Sequence, residues 1–315
     1  MSTFEAVWLY ISDINWRYFV ELVFSGLTKG SIYALISLGY TMVYGIIELI
    51  NFAHGEIYML GAFTGLIVAG ALGLMGFPTV AILVIAAVVA VIYCGAYGYT
   101  VEKIAYRPLR GAQRLSPLIS AIGMSIFLQN YVLIAQTQEF VRFPYLLPEM
   151  PFLDPISDIL RASSFTIIVT SAVVMTGLTL FIKFTRLGKA MRATAQNRTM
   201  AMLLGINADR IISATFIIGS GLAAIGGILI ASHTQQINFN IGFIAGIKAF
   251  TAAVLGGIGS IPGAMLGGLV LGCCESFAAG YFLSDYEDLV AFSILILILI
   301  FRPSGLMGKA KVQKV

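Results

Sequence analysis

The sequence predicts an all-α polytopic membrane protein, a bundle of eight or nine transmembrane helices with broken helices. Three observations support this fold class. Of the 315 residues, 59% are apolar or aromatic and only 11% are charged, whereas about 25% of the residues in a soluble domain are charged. The mean hydropathy is +0.93. Lipid is therefore the expected solvent for most of the chain, which excludes a soluble enzyme, a disordered chain and a disulfide-rich secreted domain.

Nine apolar runs follow one another, most of them close to the roughly 20 residues that a helical crossing needs. Each is predicted to be a helix, because backbone exposed to lipid must satisfy its own hydrogen bonds. The run at 241–258 contains Lys248 and could be a full crossing or a half-helix that re-enters the membrane. Residues 1–315 are expected to form a single transmembrane domain. The runs lie at 20–46, 57–76, 78–101, 115–137, 164–184, 211–232, 241–258, 260–282 and 286–301.

The distribution of basic residues predicts which loops face the cytoplasm, where Lys and Arg accumulate. Most of the 19 Lys and Arg residues lie in 102–116, in 183–210 and in the tail from 302 onward. The 138–163 loop is acidic and proline-rich, which predicts a periplasmic position. Nine crossings then place the N-terminus outside and the C-terminus in the cytoplasm. Without a crossing at 241–258, the N-terminus changes side or another run splits in two.

Glycines are dense near the C-terminal end of the chain. Lipid gives helices no hydrophobic reason to associate, so small residues that let backbones approach closely take that role. The pattern predicts tight helix packing, and it is also compatible with helices that slide or rock past each other. The predicted packing positions are Gly259, Gly263, Gly267, Gly268 and Gly272.

Signatures of catalysis are missing from the sequence. No serine lies in a Gly-x-Ser-x-Gly elbow, and no phosphate-binding loop is present, so the chain is not expected to bind ATP itself. The three cysteines lack metal-ligand spacing. A net charge of +4 is too small to indicate nucleic acid. The sequence predicts neither an enzyme nor a cofactor nor a metal site.

The densest polar cluster beside an apolar run is 48–56, with Glu48, Asn51, His54 and Glu56. A plain turn between helices could have this composition. Ionisable groups at membrane depth are costly, however, and usually line a pathway. Asn51 and Gly55 also suit a helix break, where freed backbone donors could face the carboxylate of a zwitterionic solute. We therefore predict a substrate pathway here.

Two lysines are expected to be buried at membrane depth. Lys29 could extend to the membrane surface or pair with Glu21, and Lys248 could pair with Glu275. A buried ammonium group needs such a partner, because an isolated charge in an apolar medium is strongly unfavourable.

The 183–210 loop is longer than two helices need to turn around. It predicts a short basic helix that ends near Gly205, after which Asn207 or Asp209 caps the next span. The loop could simply follow the orientation rule. Alternatively, it forms a docking helix for a cytoplasmic partner, with Arg192 and Arg198 in the contact.

Four long stretches resemble the LivH-type permease subunits of bacterial branched-chain amino-acid ABC importers. They are spread over most of the chain, whereas the 138–163 loop and both termini match poorly. The stretches are ALISLGYTMVYGIIELINFAHGEIYMLGAF at 34–63, YRPLRGAQRLSPLISAIGMSIFLQN at 106–130, LGKAMRATAQNRTMAMLLGINADRI at 187–211 and KAFTAAVLGGIGSIPGAMLGGLVLG at 248–272.

The resemblance implies a multi-pass permease of the bacterial inner membrane. It implies four kinds of partner: a second related permease subunit, two cytoplasmic ATPase subunits, a periplasmic amino-acid-binding protein and membrane lipid. The family's broken-helix motif falls on Asn51, Phe52, Ala53, His54, Gly55 and Glu56. The loop that should dock an ATPase falls on Gly188, Ala193, Gly205, Ile206 and Asn207.

Alternatives to this reading differ in energy source and substrate. Permeases for urea and short amides resemble the same core, so the resemblance leaves these solutes as alternative substrates. A secondary transporter could use His54 and Glu56 as a proton relay, although intramembrane acids are sparse. A scaffold or assembly factor would transport nothing and recruit no ATPase.

Overall fold

A computed structural model describes residues 16–113, 115–157, 159–282 and 284–308, and eleven α-helices lie within them. Predictions that concern residues 1–15, Arg114, Asp158 and the tail from Lys309 fall outside the described residues. The helices are α1 Trp16–Ile47, α2 Ala53–Leu74, α3 Thr79–Val101, α4 Leu115–Ala135, α5 Ala162–Phe184, α6 Arg186–Gln196, α7 Arg198–Leu203, α8 Ala208–Thr234, α9 Ile241–Gly256, α10 Ile261–Tyr281 and α11 Glu287–Phe301.

Seven of the described helices are long and apolar enough to cross a membrane: α1, α2, α3 with its extension to Leu109, α4, α5, α8 and α10. The prediction of an all-α, multi-pass membrane protein is confirmed. Helix α9 has 16 residues and α11 has 15, so each is about 22–24 Å long, short of the roughly 30 Å hydrocarbon core. Whether these two cross decides between seven, eight or nine spans, and that number stays a prediction.

Helices α1 and α10 run antiparallel along a seam of small residues. A Cβ added at Gly26 would lie 2.7 Å from Cys273 Cα, and one at Gly30 would lie 2.8 Å from Leu269 Cα. Hydroxyl groups join the same helices, since Ser276 Oγ donates to Leu22 O over 2.9 Å. Close backbone approach of this kind is how helices associate where lipid supplies no hydrophobic drive.

Not all of the predicted packing glycines lie in helix contacts. A Cβ at Gly268 would lie 2.6 Å from Ala34 Cα, and Gly272 meets the backbone of Gly30 on α1. Gly263 and Gly267 lie against the backbone of α9. Gly259 differs from the prediction, because it has open space around it and a φ of 94°. It serves the turn between α9 and α10 rather than a helix contact.

Helices α1 and α8 form the interior of the bundle, and α3 and α4 lie outside it. In the most apolar window of α1 and of α8, 72% of the residues are buried, against 28% for α3 and 22% for α4. Helix α2 fits beside α8, where a Cβ at Gly61 would lie 2.6 Å from Ala224 Cα. The outer helices therefore present apolar side chains outward, as lipid or a second membrane subunit requires.

The segment 138–160 folds over one end of the bundle. Its strand β1 (Val141–Arg142) pairs antiparallel with β2 (Gln236–Ile237), directly after α8. Phe143 N donates to Gln235 O over 2.9 Å, and Leu146 N donates to Ser232 Oγ over 2.8 Å. We call this end the 138–160 face and the opposite end, where α6 and α7 lie, the α6–α7 face.

Candidate functional site

The predicted helix break lies between α1 and α2. Helix α1 ends at Ile47 and α2 begins at Ala53. Glu48 has a φ of 55°, in the left-handed region that a non-glycine residue rarely adopts. The residue before α2, Phe52, gives no side-chain cap, and His54 N donates instead to Asn51 O over 3.0 Å. Glu48 is exposed and Asn51 is buried, so the chain enters the bundle within the break, whereas Gly55, which was also expected at the break, lies inside α2.

Asn51 is buried and is held from α3. The hydroxyl of Tyr106 donates to Asn51 Oδ1 over 2.9 Å. The Tyr106 ring lies 5.4 Å from the ring of Phe216 on α8, which fixes its orientation. Asn51 Nδ2 has no hydrogen-bond partner among the described residues. The N–H groups of a buried amide without partners can donate hydrogen bonds to an acceptor on a solute.

His54 occupies a pocket made by glycines. Its side chain is buried, and its ring meets that of Tyr40 edge-on at 4.9 Å. Gly39 on α1 and Gly219 on α8 lie against the imidazole, and a side chain at Gly39 would occupy its space. His54 Nε2 has no hydrogen-bond partner within the described residues.

Glu56 is fully buried between α4 and α9. Its Oε1 accepts a hydrogen bond from Ser125 Oγ over 2.9 Å. Its Oε2 has no described donor and points at the start of α9, where a Cβ at Gly242 would lie 2.6 Å away. The N-terminus of a helix carries partial positive charge and stabilises a carboxylate. The sequence analysis did not identify Ser125 and Gly242 as neighbours of Glu56.

The space between the break and α9 is nearly filled. A cavity of only about 10 Å³ remains there, barely the roughly 10–15 Å³ that one water molecule needs. Aromatic and aliphatic side chains fill the rest. The lining residues are Tyr40, Tyr44, Ile50, Phe250, Ala253 and Ile258.

On the α6–α7 face, each short helix has a side-chain cap. Thr185 Oγ1 accepts from Gly188 N over 3.0 Å, and Asn197 Oδ1 accepts from Met200 N over 3.0 Å. Asn207 Oδ1 accepts from Arg210 N over 3.1 Å and so begins α8. Of the two predicted caps for this span, Asn207 is therefore the one observed.

The residues predicted to couple to an ATPase divide into a buried and a surface group. Gly188 is buried, and a Cβ there would lie 2.5 Å from Ile182 Cα, so it forms the tight turn between α5 and α6. Gly205 is exposed with a φ of 82°, as the end of α7 requires. The others, each exposed or half-buried, are Arg192, Ala193, Arg198, Ile206 and Asn207.

The sequence analysis missed an apolar patch on this face. Met200, Met202, Leu203 and Leu204 all lie on or next to α7, and Leu203 and Leu204 are 77% and 79% exposed. Four large apolar side chains together at a surface are typical of a protein interaction site. The patch lies within the basic 183–210 loop.

An ion-pair network joins the α6–α7 face to α3. Asp209 bonds Arg107 at 2.8 Å and also pairs with Arg110 and Arg198. Arg110 in turn pairs with the buried Glu102. Burial lowers the pKa of the Arg110 guanidinium, while Glu102 and Asp209 act in the opposite direction. Residues 102–106 form one wide π turn, a feature frequent at functional sites.

Both lysines at membrane depth have acidic partners. Lys248 Nζ lies 3.3 Å from Glu275 Oε1, so the predicted pair is confirmed, and it also lies 2.7 Å from Asp288 Oδ1. The expected pairing of Lys29 with Glu21 is wrong, since Lys29 Nζ lies 2.6 Å from Glu287 Oε1. The chain turns back into the bundle before α11, which brings Glu287 to the level of Lys29.

Comparison with known proteins assigns the family. Residues 22–299 match the family model described as "Branched-chain amino acid transport system / permease component". The chain belongs to this permease family. It is 52% identical over 304 residues to the high-affinity branched-chain amino acid transport system permease protein BraD of Pseudomonas aeruginosa, covering 95% of this chain and 99% of that one.

A second relative gives the same assignment. The permease is 48% identical over 302 residues to LivH of Escherichia coli K12, also a high-affinity branched-chain amino acid transport system permease protein, with 95% and 98% of the two chains covered. The resemblance seen in the sequence is thereby confirmed. The chain is a membrane-embedded transport subunit rather than an enzyme.

Proposed function

We propose that this permease forms half of the membrane pore of an ATP-driven importer for leucine, isoleucine and valine. The near full-length similarity to BraD and LivH, both named for branched-chain amino acid transport, carries this proposal. The complete importer comprises a second related permease, two cytoplasmic ATPase subunits and a periplasmic binding protein in the bacterial inner membrane. The C-terminus and the α6–α7 face then lie in the cytoplasm, in agreement with their basic residues.

The ATPase docks on the patch of Met200, Met202, Leu203 and Leu204, with Arg192 and Arg198 at its sides. Support comes from the exposure of these apolar side chains within a basic loop. An aqueous partner gains by covering them, because burying apolar surface contributes about 25 cal/mol per Å². A membrane protein without its own ATP site needs such a docking surface for an ATPase.

Movement of the docking surface reaches the break through the Asp209 network. Asp209 holds Arg107 and Arg110, these arginines follow directly after the π turn at 102–106, and Tyr106 in that turn bonds Asn51. Pulling α7 therefore shifts the side chain that holds the break. The amino acid passes the buried polar groups of 51–56 when the closed space beside Tyr40 and Phe250 opens. The binding protein supplies most of the selectivity.

Reconstitution tests the function directly. The permease, its related subunit, the ATPases and the binding protein are placed in proteoliposomes, and uptake of leucine, isoleucine, valine and urea is followed with and without ATP. We expect ATP-dependent uptake of the three amino acids and none of urea. Uptake driven by a proton gradient without ATPase subunits, or preference for urea, would reject the proposal.

The docking surface has its own test. Leu203→Glu with Leu204→Glu should abolish co-purification of the ATPase in detergent, and Arg192→Glu with Arg198→Glu should weaken it. Phe152→Glu is the matched control, because Phe152 is 68% exposed in the 138–160 segment. Undiminished recovery of the ATPase with the leucine variant would place the docking surface elsewhere.

A further inference from the structure

A second group of charges lies where the short helices α9 and α11 approach each other. Lys248 on α9 contacts Asp288 in the first turn of α11 and Glu275 on α10. Glu275 is fully buried, and its Oε2 accepts from the hydroxyl of Tyr33 over 2.7 Å. With the pair of Lys29 and Glu287, two cations and three anions meet within one region of the bundle.

This region is open rather than sealed. A cavity of about 170 Å³ adjoins the lysines, smaller than the roughly 300–1,000 Å³ of pockets for drug-sized ligands. Its size restricts it to a small solute. Its lining combines a few polar side chains with a larger aliphatic surface. Lys29, Tyr33 and Lys248 supply the polar atoms, and Ile230, Ile241 and Ile244 belong to the aliphatic part.

The exposure of the charges indicates what lies beside them. The side chain of Lys29 is 33% exposed and that of Asp288 is 57% exposed. Charged groups at membrane depth avoid lipid and face the bundle interior or a water-filled cavity. This face of α1, α9 and α11 therefore adjoins water or the second permease, as the wall of a translocation pathway does.

Two lining residues show where along the bundle the cavity lies. Tyr58 lines it and lies two residues after Glu56 on α2. Ile230 lies one half-turn before Ser232, which binds the 138–160 segment. The cavity thus lies between the 138–160 face and the polar side chains of 51–56.

We propose that this cavity binds the incoming amino acid before it reaches the break. The ammonium groups of Lys29 and Lys248 bind its carboxylate, Glu287 and Asp288 bind its ammonium group, and the isoleucines contact its branched side chain. A zwitterion with an aliphatic side chain therefore matches both the charged and the aliphatic residues of this lining. This inference rests on the proposed function and adds a second contact point for the same substrate.

A charge exchange separates substrate binding from a purely structural ion pair. Lys29→Met should lower ATP-driven leucine uptake by the complete importer about tenfold, the loss expected for one bond to a charged group. Lys29→Glu with Glu287→Lys rebuilds the pair and should restore assembly and melting temperature while uptake stays low. Arg17→Met, which removes an exposed cation from the same helix α1, should leave uptake unchanged.

The double variant Lys29→Glu with Glu287→Lys distinguishes substrate binding from a structural role of the pair. Uptake restored by the double variant, or unchanged in Lys29→Met, would show that the pair is structural and would overturn the inference. Wild-type uptake in the same vesicles is measured in parallel, because its absence would reject the proposed function instead.

A protection experiment identifies the ligand chemistry. Ile244→Cys, in a transport-competent background with Cys94, Cys273 and Cys274 replaced by alanine, places a thiol in the cavity wall, where Ile244 is 45% exposed. Saturating leucine should slow its modification by a water-soluble thiol reagent. Isocaproate, which lacks the amino group, and isoamylamine, which lacks the carboxylate, should protect less. Equal modification rates with and without leucine would overturn the inference.

Discussion

The chain interrupts its helices at 48–52 and again at 257–260, and the two interruptions are built differently. At 257–260, glycines take the positive φ values of 103° and 94°, and Ser260 Oγ caps α10 by accepting from Gly263 N over 3.2 Å. At 48–52, Glu48 takes the left-handed conformation and no side chain caps α2. The first follows ordinary turn chemistry, whereas the second departs from it around buried polar groups.

The difference indicates which of the two interruptions serves transport. Residues in rare backbone conformations persist only when their surroundings enforce them, and they concentrate at functional sites. A turn that obeys local rules needs no such enforcement. We therefore expect changes at 257–260 to alter stability and changes at 51–56 to alter transport.

The largest effect is expected for Gly257→Val. A Cβ there would lie 2.7 Å from Gly308 Cα, and the φ of 103° is unfavourable for any side chain. Strain and overpacking together should cost about 3 kcal/mol or more of unfolding free energy. Thermal unfolding in detergent measures this loss. Gly259→Ala is the control with open space and should cost less, about 1–2 kcal/mol, so equal losses would contradict the packing argument.

At the other interruption, Glu56→Gln should lower ATP-driven leucine uptake about tenfold, or ~1.4 kcal/mol. The substitution keeps the shape and the bond from Ser125 but removes the charge facing α9. Assembly and melting temperature should remain those of the wild type. His54→Ala should also slow uptake without preventing assembly.

The matched control for Glu56→Gln is Glu21→Gln, an exposed position on α1. Normal uptake by both the Glu56 and His54 variants would remove the pathway role from this cluster.

A smaller effect is expected for Tyr106→Phe. The variant loses the hydroxyl that donates to Asn51 Oδ1 and should cost about 1 kcal/mol. Uptake should fall severalfold while ATP hydrolysis continues, because the link between the network and the break is cut. Tyr97→Phe, on the same helix, should change neither rate. If hydrolysis and uptake fell in equal proportion, Tyr106 would not be a coupling residue.

The smallest effect is expected for Ser260→Ala, which removes the cap of α10. Loss of such a cap costs about 1 kcal/mol, seen as a modest drop in melting temperature with unchanged uptake. Ser260→Asp retains a capping oxygen and should melt close to the wild type. A transport defect in Ser260→Ala with normal stability would mean that both interruptions serve transport.

Local features were predictable from the sequence, and long-range partners were not. The break after α1, the helix end near Gly205 and the cap at Asn207 each follow from a few neighbouring residues, whereas the one basic helix expected at 183–210 is two, α6 and α7, divided at Asn197. Ser125, Gly242 and Tyr106 lie far along the chain from the break, so periodicity and turn chemistry give no signal for them. Gly259 was misjudged because glycine spacing alone does not distinguish a helix contact from a left-handed turn.

Charge partners show the same limit. Lys248 and Glu275 were predicted as a pair because each is an isolated charge in an apolar run. Lys29 was expected to extend to the membrane surface or to pair with Glu21, two turns away on the same helix, whereas its partner Glu287 is 258 residues distant. Only the inward turn before α11 brings them together. Apolar composition does not predict the depth in the membrane at which a helix begins.

The end of α9 has a consequence for biosynthesis. Leu306 N and Met307 N donate to the carbonyls of Leu255 and Gly256 over 2.8 and 2.9 Å. These donors are made about fifty residues after the carbonyls that they satisfy. The last carbonyls of α9 therefore gain these partners only after the chain has been synthesised as far as Met307, and a truncation before Leu306 would remove both donors.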